Sequence, residues 1–256
     1  MIELKAVDYE TLHGWFGDEG PGDMAGQHVL NTGQGRVFVD RWPEPRVALA
    51  TYGDGCSLRG DPLALQASDV CSGFFDAPPA FEPALREADP GLVLWERVYL
   101  VLAQGEETSP LRLPSGAVVR RLAAGDVSAL RGLREESSWI SHSWGGPAGL
   151  AGSGYAFGAF RDGQLVSVAC SFEIGDRYED IGVVTEAGFR GQGLAGACAE
   201  RLCSEIFARG RVPSWSTVRE NTPSLRVAEK LGFTLARTGV IYAVNKAVPG
   251  VAQRVD

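Results

Sequence analysis

The chain has 256 residues, 45% hydrophobic and 22% charged, with a net charge of −8. That is enough for one sizeable core or two modest ones. The acidic balance argues against a general nucleic-acid binder, and no apolar run approaches the ~20 residues that span a bilayer. Charge is divided unevenly: residues 1–110 hold 7 Lys+Arg against 18 Asp+Glu, and residues 111–256 hold 17 against 14. An anionic cofactor therefore suits the C-terminal part, and a cationic substrate suits its companion.

The N-terminus, Met1-Ile2-Glu3-Leu4-Lys5, has no basic segment followed by an apolar one, so a cytoplasmic address is expected. Cys56, Cys71, Cys170, Cys198 and Cys203 form no C-x-x-C pair, and His13, His28 and His142 are scattered. No zinc constellation is visible, and reduced, mostly buried thiols are expected.

Residues 1–35 suggest only a short helix. Arg36–Asp40 and Arg46–Tyr52 read as strands around a Pro43–Pro45 turn. Asp61-Pro62 opens a helix in the manner of an N-cap, with Leu63, Ala67, Val70 and Cys71 on one face. A second helix is expected near Phe81–Ala88, and Leu92–Ala103 is a long apolar run that reads as a buried strand. Gln104–Ser115 is polar and broken by two prolines, the pattern of a linker. The expected organisation is a smaller α/β domain at 1–103, the linker at 104–115, a second domain at 116–246 and a tail at 247–256.

In the second domain Val118–Leu122 reads as a strand, and Asp126 caps a helix with Val127, Leu130 and Leu133 inward. Ser137–Gly154 reads as an irregular loop. Ala156–Phe160 and Leu165–Phe172 alternate around Asp162-Gly163, a hairpin signal. Tyr178–Thr185 is the next strand. Then comes the most informative stretch, Arg190-Gly191-Gln192-Gly193-Leu194-Ala195-Gly196, from which a helix runs to about Arg209 with Leu194, Cys198, Leu202 and Ile206 recurring at i+4. Glycines there let the backbone bend sharply and a ligand approach closely. The unpartnered N–H groups opening the helix suit a pyrophosphate. Val212–Val218 reads as a strand parallel to the one before the cradle, Thr222-Pro223 opens a short helix, and Phe233–Arg237 with Val240–Asn245 form a final hairpin around Thr238-Gly239.

Gly191-Gln-Gly193-Leu-Ala-Gly196 matches G-x-G-x-x-G literally, so a dinucleotide site has to be weighed. The cradle follows hairpins where a Rossmann fold would place it after its first strand. Only 36 residues follow Glu220, too few for further βαβ units of roughly 30 residues each.

Arg190-Gly191-Gln192-Gly193-Leu194-Ala195 resembles instead the Arg/Gln-x-x-Gly-x-Gly/Ala signature of the GCN5-related N-acetyltransferases (GNAT). Trp215–Ser224 with Ala228–Phe233 is similar to that family's second cofactor segment. The resemblance covers about 112–246, and residues 1–103 more faintly resemble the degenerate N-terminal half of two-part members. It implies an α/β fold with a mixed, mostly antiparallel sheet and helices on both faces. It also implies acetyl-CoA seated where two parallel strands, Tyr178–Thr185 and Val212–Val218, splay apart. The backbone of Val183, Val184 and Thr185 would meet the pantetheine arm, with an N–H near Val183 as oxyanion donor. Arg190, Gly191, Gln192, Gly193, Leu194 and Ala195 would hold the pyrophosphate, and Asn221 and Ser224 would flank the arm. The usual tyrosine acid is replaced by Ala228; Ser224, as in the ribosomal-protein alanine acetyltransferases, or water would protonate the thiolate.

The general base is left among Glu179, Asp180, Glu173 and His142, with strand alternation sending Glu179 and Asp180 to opposite faces. Trp139, Trp144, Tyr155 and Tyr178 are candidates for an acceptor pocket. The expected activity is acetyl transfer to a primary amine of a small molecule, an antibiotic among the candidates, or of a peptide or protein N-terminus. The first 103 residues would shape the acceptor side or a homodimer interface. Neither nucleic acid nor membrane is an expected partner, and a catalytically silent CoA-binding or sensing module is the alternative.

Overall fold

The computed structural model describes residues 1–17, 20–22, 24–103, 105 and 113–248. Most of the expected linker, and all but the first two residues of the expected tail, lie outside them. The strands are β1 (Ile2–Glu3), β2 (Arg36–Val39), β3 (Val47–Tyr52), β4 (Gly55–Gly60), β5 (Gly73–Asp76), β6 (Val93–Val101), β7 (Ala117–Arg121), β8 (Ala156–Arg161), β9 (Gln164–Ile174), β10 (Tyr178–Thr185), β11 (Val212–Thr217) and β12 (Thr234–Val244). The helices are α1 (Ala25–Thr32), α2 (Glu82–Ala88), α3 (Val127–Arg131), α4 (Glu135–Ser138), α5 (Pro147–Ser153), α6 (Leu194–Ala208) and α7 (Thr222–Lys230).

All strands join one sheet in the order β1-β2-β3-β4-β5-β12-β6-β11-β10-β9-β8-β7. Two neighbouring pairs are parallel, β4 with β5 and β10 with β11; the other pairs are antiparallel. The α/β class with a mixed, mostly antiparallel sheet is the one expected. Helices α6 and α7 cover one face, over Val98, Leu100, Ile181, Trp215 and Phe233. The segment from α3 to α5 covers the other, over Leu165, Val168 and Cys170.

The two halves repeat one plan: antiparallel strands, then a parallel strand, a short helix and a last strand. Their last strands are exchanged. β6, which ends the N-terminal half, lies against β11, and β12, which ends the C-terminal half, reaches across to β5. Exchange explains why Thr234–Val244 is one continuous strand where a hairpin was expected. β6 offers it an unbroken partner from Val93 to Val101, and a register shift near Leu235–Arg237 absorbs the mismatch. Thr238-Gly239 is consequently inside a ladder, not at a turn.

Other differences are local. The expected helix at Asp61-Pro62 is two short 3₁₀ turns, Pro62–Ala64 and Ala67–Asp69. Asp61 does cap the first, accepting from Leu63 N at 2.9 Å, but Leu63 and Cys71 are exposed. β4 and β5 flank these turns and carry no clear alternation in sequence. Ser137–Gly154 is helical, containing part of α4, a 3₁₀ turn at Trp139–Trp144 and α5. Gly145 and Gly154 adopt left-handed conformations that terminate turns, while Gly149 and Gly152 lie within α5.

His28 ties the halves together. Its Nε2–H donates to Ser143 O at 2.8 Å and its Nδ1 accepts from Ile174 N at 3.2 Å, while Tyr52 and Trp144 meet its ring edge-on. Burial pulls its pKa down to about 4. The unfolded chain therefore binds a proton near pH 6.5 that the folded chain refuses until about pH 4, so this contribution to stability is lost as pH falls through that window. The His28 ring resonances in NMR are expected not to titrate until about pH 4.

Candidate active site

β10 and β11 pair at Tyr178↔Val212, Glu179↔Pro213 and Asp180↔Ser214, and there the parallel ladder stops, although both strands continue. A register irregularity in β10 against β9 falls at Asp180/Ile181, where the strands begin to part. The result is a fork. Glu186 N bonds Val166 O on β9, so by antiparallel alternation Val184 and Gly182 also turn their backbone groups toward β9. Those of Ile181, Val183 and Thr185 face the fork. Thr185 O accepts from Arg190 Nε at 3.1 Å on that open side. Val184, by contrast, spends its carbonyl on Ser167 Oγ at 2.7 Å.

Beyond the fork, Gly191 and Gly193 adopt φ of +75° and +78°, a region costly for residues with a Cβ, and no atom lies within 4 Å of an added Cβ at either. Gly193 is the N-cap of α6, and the first bond onto the cap carbonyl comes from Ala197 N. The N–H groups of Leu194, Ala195 and Gly196 therefore precede the helical ladder and point out of its positive end. Gln192 Oε1 accepts from Arg161 Nη1 at 2.6 Å, fastening the loop to β8. The Arg190 guanidinium lies beside this turn and is largely exposed.

On the α7 side, Asn221 Oδ1 accepts from Ser224 N at 3.3 Å, so Asn221 caps the helix. Ser224 Oγ lies 2.9 Å from Trp215 Nε1 on β11. An indole can only donate, so the serine oxygen accepts and its own proton stays available for another acceptor. Ala228 is fully buried among the apolar residues under α6.

The four carboxylate and imidazole candidates separate clearly. Asp180 stands at the crotch of the fork, 6% exposed, accepting from Ser214 Oγ at 3.0 Å and Ser216 Oγ at 2.9 Å. Burial pushes its pKa up, partly opposed by the two hydroxyls and by Arg97 and Arg237. Glu179, on the opposite face, is clamped by Arg209 through Nε at 2.8 Å and Nη2 at 2.6 Å, with Arg211 at 3.3 Å and Ser171 also donating. Both its oxygens hold guanidinium partners at the closed end of the strand, which makes it a structural anchor. Glu173 accepts from Met24 N at 2.6 Å and from the Tyr52 hydroxyl, binding the start of α1 to β9. His142 is exposed on the 3₁₀ turn beside Gly53. Arg209→Ala would leave Glu179 buried with only part of its charge matched, and a loss of about 3 kcal/mol in urea unfolding is expected.

The aromatic candidates also part company. Gly182 shares the Asp180 face, where an added Cβ would lie 3.1 Å from Ile140 Cδ1 and 3.2 Å from Phe172 Cβ. Trp139, 38% exposed, meets Phe172 edge-on and so borders that wall. Trp144 is buried, donates to Ser171 O at 2.9 Å and stacks on Tyr155; Tyr178 sits at the closed end under Arg177. Both pack the fold and leave the fork to other side chains.

Sequence reading misses the residues that frame Asp180. Ser214 and Ser216 alternate with Trp215, a period-2 signal that placed both hydroxyls on one face and the indole on the other. Arg97 and Tyr99 have no such local sign, because β6 brings them from the other half. Arg97 Nη2 donates to Ser216 Oγ at 3.1 Å, and Arg237 covers the Tyr99 ring at 4.0 Å. In the N-terminal half the corresponding parallel pair ends at Ser57↔Asp76, where Arg59 bonds both residues and closes the gap. Between β4 and β5 that half has two short 3₁₀ turns where α6 stands in the other.

A family model described as GNAT acetyltransferase matches residues 106–242. An uncharacterised N-acetyltransferase of Streptomyces virginiae is 38% identical over 214 residues, 82% of this chain and 90% of that one. Among solved structures, a GCN5-related N-acetyltransferase-like protein from Streptococcus suis superposes with a TM-score of 0.70 at 24% identity, over 93% of this chain and 98% of that one. A tandem GNAT protein from the clavulanic acid biosynthesis pathway superposes with a TM-score of 0.59 at 13% identity, over 94% of this chain and 96% of that one.

Proposed function

The chain belongs to the GNAT acetyltransferase family, and from that premise we propose that it transfers an acetyl group from acetyl-CoA to a primary amine, with Asp180 as the base. The observation that carries the reading is the coincidence at one point of three features: the end of the parallel ladder, a strand edge whose backbone groups face away from β9, and a buried carboxylate.

The residues fit the cofactor. N–H groups of Leu194, Ala195 and Gly196 supply donors for a pyrophosphate, and the left-handed glycines leave the space open above them. Ile181, Val183 and Thr185 offer a strand edge to an extended arm, as in strand addition. When bound, acetyl-CoA supplies the thioester carbon that the amine attacks. Asp180, held by Ser214 and Ser216, takes a proton from the incoming amine at its carboxylate oxygen; its raised pKa makes it a better proton acceptor than an ordinary aspartate. Ser224, with its proton unspent on Trp215, would give one to the departing sulfur and regain it from solvent.

The acceptor approaches on the Asp180 face, past Gly182, Phe172 and Trp139. Residues 1–103 complete that side through β6, which supplies Arg97 and Tyr99. Acceptors in this reading are small-molecule amines or a protein N-terminus. The test is free-thiol release from acetyl-CoA across a panel of such amines, alongside calorimetry of acetyl-CoA binding. Amine-dependent release supports the proposal; tight binding with no release on any amine favours a silent CoA-sensing module, and no binding defeats both.

A further inference from the structure

Three of the five cysteines, Cys170, Cys198 and Cys203, are buried in the C-terminal half, and burial pushes the pKa of each upward. Cys56 and Cys71 are different. Cys56 is buried on β4, Cys71 is exposed on the stretch entering β5, and their sulfurs lie 3.7 Å apart. The parallel register makes the meeting: it sets Gly55 opposite Phe74 and Cys56 opposite Phe75, so the chain entering β5 passes back over Cys56. Gly73 permits the close passage, since an added Cβ would lie 2.8 Å from Cys56 Sγ.

The two sulfurs are unequal. A hydrogen bond from the Cys56 thiol, a backbone N–H and the charge of Arg36 outweigh partial burial and pull the Cys71 thiol down to about 7. The hydrogen bond with Cys71 and burial push Cys56 the other way. The reactive form of cysteine is the thiolate, so the exposed member is the nucleophile and the buried one is the waiting partner.

We propose that Cys56 and Cys71 form a peroxide-reactive dithiol, in which Cys71 is oxidised first and Cys56 closes an intramolecular disulfide. The Cys71 sulfur attacks one peroxide oxygen and the O–O bond breaks. The departing hydroxide takes up a proton to become water, and Cys71 is left as a sulfenic acid. The Cys56 sulfur then displaces the hydroxyl from Cys71; the thiol proton of Cys56 leaves with that hydroxyl as a second water. Two thiols are oxidised by two electrons in total, and one peroxide is reduced to two waters. The bond staples the loop with the two 3₁₀ turns and ties β4 to the entry of β5, beside the end of β12, where Ser72 Oγ donates to Asn245 O at 3.1 Å. None of this rests on the acetyltransferase reading.

The test exposes the intact chain to stoichiometric hydrogen peroxide, counts thiols under denaturing conditions and maps disulfide-linked peptides. The expected result is loss of two of the five thiols, one Cys56–Cys71 linkage within a monomer, and return of all five on reduction. Cys56→Ser should instead accumulate a dimedone adduct on Cys71. Because a buried substitution can disturb folding, Cys71→Ser at the exposed position serves as second variant and should retain its four thiols under the same treatment. Oxidation of Cys170, Cys198 or Cys203 as fast as Cys71, a linkage between molecules, or no thiol loss in the unmodified chain would overturn the proposal.

Discussion

Asp180→Asn is expected to leave the fold and acetyl-CoA affinity intact while lowering kcat/KM by about 10²–10⁴, the range for removal of a positioned general base. The amide is nearly the same shape and its oxygen can still accept from a serine hydroxyl, so the fork should keep its form. What disappears is the charge that accepts the proton. In the unsubstituted chain kcat/KM should rise with pH as Asp180 ionises, and burial places that limb above the ordinary carboxylate range. The limb should vanish in Asp180→Asn. Arg97 donates to Ser216, which donates to Asp180, and its positive charge favours the ionised carboxylate. Arg97→Gln should therefore move the limb to still higher pH while retaining activity on its alkaline side, which a merely structural role would not do. A pH–rate profile unchanged in both variants would remove Asp180 from the chemistry.

The second large effect is expected at the cradle. Gly193→Val asks a β-branched residue to hold φ of +78°, a strain of about 1–2 kcal/mol. Relief of that strain turns the N–H groups of Leu194 and Ala195 away from the pyrophosphate. Each charge-assisted hydrogen bond lost is worth about 1.5–3 kcal/mol. Acetyl-CoA affinity measured by calorimetry should fall by about a hundred-fold or more. Gly210→Val is the matched control, with φ of +77° just beyond the other end of α6. Its unfolding midpoint should drop comparably while affinity stays unchanged. Equal loss of affinity in both would mean that general destabilisation, and not the cradle, is being measured.

Much of the local structure around the candidate site was legible because it depends on local signals. The run from Tyr178 to Thr185, the left-handed glycines and the i+4 stripe of α6 each declare themselves within one element, and the Asp162-Gly163 hairpin does the same. Glu179 and Asp180 show where legibility stops. They are adjacent carboxylates on one strand, and alternation says only that they face opposite ways. That Glu179 meets Arg209 and Arg211 while Asp180 meets two serines depends on what α6 and β11 bring to each face.

The amino-acid pattern by itself determined the strand–cradle–helix unit, the parallel partner that follows it and the family to which they belong, because turn glycines and side-chain periodicity act within a few residues of one another. Only the tertiary structure decided the exchange of β6 and β12, the framing of Asp180 by Arg97, and the meeting of Cys56 with Cys71. Those contacts join residues far apart in the chain. They depend on which register lets a single twelve-stranded sheet satisfy its backbone hydrogen bonds and bury both faces together.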